Sequence, residues 1–442
     1  MEDLLNILEK VVSFCEHRGA LAEVLGAWRK ETIVTLERND IKLCINQHVA
    51  GVGIRTLIDN SVGFASCNSL DEEVVKKTAE RAIRMSKKTP PLPFITFSSP
   101  GHFHEISGLY DPEVHSFDEA DAVSTAESMM RAAQEDPRVQ VDNGEFAASI
   151  RKKAICTSSA VSAEEEKSRF SWSLNGMARE GNEVGPYEYH YGCCTHVNQI
   201  YVEETGQNLA ERAVSDLYPK KIDSFTGDLI LGPEGASHLI GDPVISSVNA
   251  NNVFRGQSVL AQRLEEKVTS PIVTIRDNAL LPGEPSSSKF DREGTPHQNL
   301  TIVEKGVLKT FLYNSLAAKR DSHSNTGNAT GTFRDIPKIG NTNFVVEKTS
   351  KNLETLIEEM EGGLIITRFS GVADVISGDF SGAVKGAHFI KRGEIQHPVR
   401  EATIAGNVFE ILPRITDISR ETAKYSKMIL PFMKISDMQI IA

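Results

Sequence analysis

The segment Pro233-Glu234-Gly235-Ala236-Ser237-His238 has the outline of a metal-binding helix from which one donor is missing. In a helical His-Glu-x-x-x-His, two imidazoles about one turn apart hold a divalent metal. The Glu beside the first imidazole takes a proton from metal-bound water. Here Glu234 and His238 occupy the carboxylate and second-imidazole places, and Pro233 occupies the first. Proline offers a metal no lone pair. It is well tolerated in the first turn of a helix, where its missing N–H would have no partner anyway. The segment is therefore expected to stay helical while losing a ligand.

Structural zinc binding contributes about 10–16 kcal/mol with a complete ligand set, and a lone His238 beside a carboxylate cannot supply that. Glu234 then reads first as a first-turn carboxylate, favoured by the helix dipole by roughly 0.3–1 kcal/mol. His238 reads as a packed or solvated helix histidine. His190 and His196 flank Cys193 and Cys194, but strand alternation sends adjacent cysteines to opposite faces. No metal ligand set is assigned within the chain. No Ser/His/Asp triad emerges from spacing, and no glycine-rich segment matches a phosphate-binding loop. Asp291, Glu293 and Gly294 lie in one block, and Gly378, Asp379 and Ser381 in another. Both blocks read as tight loops in which glycine meets positive φ. Close approach of a bound peptide is the functional alternative.

Elements must position these residues. Leu4, Leu5, Ile7, Leu8, Val11 and Val12 form a helical stripe ending near Gly19. Short β-type runs follow to Phe64, with turns at Asn39-Asp40 and Asn60-Ser61. Capping boxes at Ser69–Glu72 and Ser116–Glu119 open two further helices. Val139 to about Ile200 alternates as strands, with Asp142-Asn143-Gly144 as a turn, and a helix spans Glu203–Leu217. Beyond Pro219, β patterns dominate. A strand from Phe225 to Leu231 runs into the Pro233 segment, and helices are expected only near 233–250, 313–320 and 350–361. The expected class is α+β: N-terminal strand/helix blocks, then a predominantly β C-terminal domain. The boundaries read as 1–89, a Pro-containing linker at 90–115, 116–222 and 223–442.

Composition excludes several functions. The formal charge of −12 argues against binding a nucleic-acid backbone, which requires clustered Lys and Arg. No apolar run approaches the ~20 residues of a membrane helix. The N-terminus lacks the pattern of a secretory signal, and none of the six cysteines forms a C-x-x-C pair. A reduced, cytoplasmic protein is the expectation.

Several blocks, in this order and spacing, resemble the TldD/PmbA (modulator of DNA gyrase) metallopeptidase family. They are Phe290-Asp291-Arg292-Glu293-Gly294, Gly306-Val307-Leu308, Ser324–Ala329, Gly378–Ala383, Gly393-Glu394-Ile395 with Pro398-Val399, and Thr403–Asn407. The resemblance implies a TldD/PmbA-type C-terminal domain and one of two subunit kinds. TldD carries His-Glu-x-x-x-His and a late metal-binding cysteine; TldE, or PmbA, lacks those ligands. Pro233, and the absence of any cysteine after Cys194, make this chain similar to the TldE/PmbA kind, although His238 is retained. The implied role is a non-catalytic subunit without a cofactor of its own. It would pair with a TldD-like chain that holds zinc and would act on unfolded peptides. A stand-alone homodimeric peptide-binding protein and a peptidase with an atypical metal site are the alternatives.

Overall fold

A computed structural model describes residues 4–442. The N-terminal half is built on one antiparallel sheet. Its strands are β1 (Leu21–Glu37), β2 (Asp40–Ile58), β3 (Ser61–Cys67), β4 (Val139–Thr157), β5 (Ser162–Glu180), β6 (Glu183–Val184) and β7 (Glu188–Cys194). The order is β3-β2-β1-β4-β5-β6, with β7 also on β5. The even-numbered residues of β1, β4 and β5 carry the largest buried apolar side chains. Val24, Val34, Phe146, Ile150, Phe170 and Trp172 all point to one face.

Two pairs of helices cover that face. Leu8, Val11 and Cys15 of α1 (Leu4–Glu16) and Val75, Ala79 and Ala82 of α2 (Glu72–Ser86) pack over Val24, Val52 and Ile54. Met129 of α3 (Glu119–Ala133) and Leu209 of α4 (Val202–Ser215) pack over Phe146, Phe170 and Leu174. Fully burying each of the larger side chains among them, the Val, Leu, Ile, Phe and Met residues, contributes about 1.5–3 kcal/mol.

Local expectations shift in three places. The N-cap of α2 is Asp71, which accepts from Val74 N at 3.0 Å, two residues beyond the expected Ser69. The cap of α3 is Asp118, which exchanges hydrogen bonds with Asp121 rather than starting at Ser116. Asp142-Asn143-Gly144 is not a turn. It lies inside β4, where a register shift between Val141 and Asn143 absorbs it and Asn143 pairs with Asn175 and Glu37. Neighbours on both sides of the strand override the local turn preference.

The C-terminal half is mainly β, as expected. Its strands are β8 (Phe225–Leu231), β9 (Ile275–Asn278), β10 (Asn299–Glu304), β11 (Val307–Leu308), β12 (Ala329–Thr330), β13 (Lys338–Ile339), β14 (Phe344–Val346), β15 (Gly362–Ala373), β16 (Asp379–Lys391), β17 (Glu394–Pro398), β18 (Thr403–Asn407), β19 (Ile415–Tyr425) and β20 (Met428–Ile441). The path β8-β15-β16-β18-β20 closes on itself because β20 also pairs with β8. Closure leaves these strands no free edge. The helical segment α5 (Pro233–Ala236), a π-turn at Ser237–Gly241 and α6 (Asp242–Ser247) follow β8 directly. Ala236, Leu239, Ile240 and Val244 share one core with Leu231, Ile366, Ile404 and Ile435.

Odd-numbered residues of β1, β2, β4 and β5 face the C-terminal half. Their firmest tie is a buried ion network. Arg55 of β2 bonds Glu23 of β1, and reaches Glu293 at 2.8 Å; Arg292 meets Glu23 at 3.1 Å. All four side chains are almost fully excluded from solvent. Such a network is demanding in desolvation but fixes one docking geometry.

Candidate functional site

Pro233 sits at the first turn of α5, as its chemistry predicts. Glu234 follows, and the π-turn carries His238. Single π-turns inside helices recur at functional sites. Here the turn leaves the imidazole about half exposed and engaged on both nitrogens. Nδ1 lies 3.3 Å from Asp242 Oδ2, and Nε2 lies 3.2 Å from Tyr425 Oη at the end of β19. The hydrogen bond with Asp242 raises the imidazole's pKa.

Glu234 faces a buried charged cluster that joins the two halves. Arg368 of β15 pairs with Glu188 of β7. Asp216 caps α4, and His388 of β16 lies 3.8 Å from it. Burial, joined by the charge of Glu188, lifts the Glu234 carboxyl to about 7 against the pull of Arg368. Burial likewise lifts Glu188 to about 7 and Asp216 to about 6. Burial, with Arg212 and Arg368 nearby, drives His190 down to about 3. Glu188 and Asp216 adjoin, so a proton on one can bridge to the other. With both ionised, Glu188 Oε2 and Asp216 Oδ2 have no donor among the described residues, and His190 Nε2 and Arg368 Nε have no partner there either. The cluster is built to hold protons at near-neutral pH rather than to present free carboxylates.

The fit to zinc is poor. Pro233 supplies no donor, His238 is held by Asp242 and Tyr425, and the hairpin between β19 and β20 contains no cysteine. Among the described residues no three His, Cys, Asp or Glu side chains converge in a way that could hold a metal ion. Cys194 is buried and Cys193 half-buried, while His196 bonds its neighbour Thr195.

The other singled-out residues lie elsewhere. Asp291 is buried and accepts from the backbone N–H groups of Glu293, Thr295 and Ala329 at 2.8–3.0 Å. Glu293 belongs to the ion network and also accepts from Ser315 N at 2.8 Å. Gly294 has φ +79° and a Cβ there would meet Val161 at 2.7 Å. Gly378 ends the β15–β16 turn at φ +82°, against Phe409. Asp379 accepts from Asn407 Nδ2 at 2.8 Å, and Ser381 is exposed on β16. These contacts are those of loop-holding residues. The chain patterns did not reveal Glu188, Asp216 or Arg368, because three separate elements bring them to Glu234.

Residues 22–86, 112–217 and 225–442 match, respectively, domain 1, the central domain and the C-terminal domain of the PmbA/TldA metallopeptidases. The chain belongs to the PmbA/TldD metallopeptidase family. It is 28% identical to the uncharacterized protein MJ0231 of Methanocaldococcus jannaschii, covering 96% of this chain and 97% of that one. It is 26% identical to Metalloprotease PmbA of Escherichia coli O157:H7, covering 87% and 85%. The crystal structure of TldE from Thermococcus kodakarensis superposes with a TM-score of 0.90 at 22% identity, over 99% of each chain. The family's fold is thus the one described above. No described helix is long and apolar enough to cross a membrane.

Proposed function

We propose that this chain is a non-catalytic, TldE/PmbA-like subunit of a TldD-type zinc metallopeptidase that degrades or processes unfolded peptides. One observation carries the reading: proline stands in the first-ligand place, and the retained imidazole is engaged by Asp242 and Tyr425. The metal, its activated water and the base then belong to a TldD-like partner. This chain contributes shape and peptide contacts. Six free thiols suit a reducing compartment, and we place the protein in the cytoplasm.

A peptidase with an atypical site gains support only from Glu234, whose carboxyl near 7 would suit a general base. Among the described residues no three His, Cys, Asp or Glu side chains converge beside it to hold a metal. A homodimer that binds peptides without cutting them is separated by reconstitution. The chain, a TldD-like partner and their mixture are each given an unfolded peptide. Cleavage that needs the mixture supports the proposal. Turnover by this chain alone, or a partner indifferent to it, refutes the proposal.

A further inference from the structure

Between the odd-numbered face of the N-terminal sheet and the C-terminal half lies a cavity of about 510 Å³. Three adjacent strands build its cationic wall. Their register sets Arg29 of β1, Arg151 of β4 and Lys167 of β5 directly abreast. The next row is Ala27, Lys153 and Glu165; the row on the other side is Glu31, Ser149 and Arg169. Cross-strand neighbours stand ~5 Å apart, and like charges placed opposite each other destabilise a sheet. The fold retains a three-cation row nonetheless.

The carboxylates present do not balance these cations. Glu31 serves both Arg29 and Arg151 at 3.2 Å. Glu165 serves Lys153 and Lys167 at 3.2 and 3.3 Å. Arg169 bonds the Tyr191 hydroxyl at 2.6 Å, and among the described residues neither it nor Lys427 of the opposite wall has a carboxylate at ion-pair distance. Arg29, Arg151, Lys153, Lys167, Arg169 and Lys427 thus outnumber Glu31, Glu165 and Asp291, the last of which is engaged by backbone N–H groups, and only Asp277 adds its charge at Lys427, in a chain whose overall charge is −12. Burial and the neighbouring cations lower the pKa of Arg151. Leu25, Val49, Phe290 and Phe333 give the same cavity an apolar flank.

We propose that this cavity binds an extended acidic peptide segment. Residues of one face recur every ~6.6 Å along a strand. A peptide laid along β4 and β5, with Asp or Glu at every second position, presents carboxylates at the spacing of Arg151–Lys153 and Lys167–Arg169. Its intervening residues can meet the apolar flank. A compact phosphate would use one point of a field that spans three rows. The proposal deepens and rests on the reading of this chain as a peptide-handling subunit, and every residue named for the site comes from this chain.

The test is fluorescence anisotropy on the isolated full chain. The probes are a short labelled peptide with alternating Glu, its Gln and Lys counterparts, and a labelled oligothymidylate. The Glu peptide should bind at least ~10-fold tighter than the other three, and added salt should weaken it. Arg151→Gln and Lys167→Gln should each cost about fivefold or more in affinity, while Arg131→Gln on the exposed face of α3 should cost nothing. Thermal melting separates binding from folding: Arg151→Gln relieves like-charge contact and should not lower the Tm. Equal binding of Glu and Gln peptides, tighter binding of the oligonucleotide, or unchanged affinity in both cavity variants overturns the proposal. Since no cleavage is read, such a failure leaves the partner-dependent hydrolysis of the previous section standing.

Discussion

Two charged regions lie at the seam between the halves of this molecule, and each carries an excess of one sign. Around Glu234 the excess is acidic; along β1, β4 and β5 it is basic. Their chemistry parts there. Buried carboxyls can take up protons, so the acidic cluster neutralises itself and its pKa values climb toward 7. Guanidinium groups cannot shed theirs near neutral pH, so Arg29, Arg151 and Arg169 keep the wall's field even though burial lowers the Lys167 ammonium to about 8, and the wall calls for an external counter-charge. One cluster is self-contained, while the other is open to a ligand. Such a pairing fits the proposed role of a supporting subunit.

Two Glu→Gln substitutions should move stability in opposite directions. Glu165 lies between Lys153 and Lys167; burial pushes its carboxyl up, but the two lysines and the bonds from Ser288 and Lys289 hold it down at about 2. Glu165→Gln leaves two cations uncompensated and should cost about 3–5 kcal/mol at pH 7 in urea unfolding. The wild-type contribution is present above the usual Glu pKa and fades as pH falls from about 4.5 toward 2. Glu234 has the reverse sign. Its raised pKa favours the fold below about 4.5, and that support is lost as pH rises through about 7. Glu234→Gln should therefore stabilise by about 1–3 kcal/mol at pH 8 and change little at pH 4.5. Equal effects at both pH values would show that Glu234 does not hold its proton in the fold.

The smallest effect is expected at His238. Its pairing with Asp242 is partly exposed, and such pairs are worth about 0–1 kcal/mol. His238→Ala should shift stability by less than about 1 kcal/mol. Turnover by the reconstituted pair should stay within about twofold. A loss of orders of magnitude would bring His238 into the chemistry and erase the contrast between the two regions.

Much of the scaffold could be read from residue order. Alternation from Val139 to about Ile200 marked strands, and proline before Glu234 marked a helix start. Asp142-Asn143-Gly144 misled because turn-forming residues were held in β4 by neighbours distant in sequence. Glu188, Asp216, Glu234 and Arg368 have no common spacing, since β7, the end of α4, α5 and β15 meet only in the folded chain. The cationic row has the same cause. Arg29, Arg151 and Lys167 align only once the strand register is set.

The central claim concerns an incomplete metal site, so metal content tests it most directly. The chain would be purified without a partner, exposed to excess zinc, dialysed and analysed by native and elemental mass spectrometry. Substoichiometric, readily chelated zinc is the predicted result, with no difference between wild type and His238→Ala. One tightly held zinc per chain, lost in the His238→Ala variant, would contradict the account.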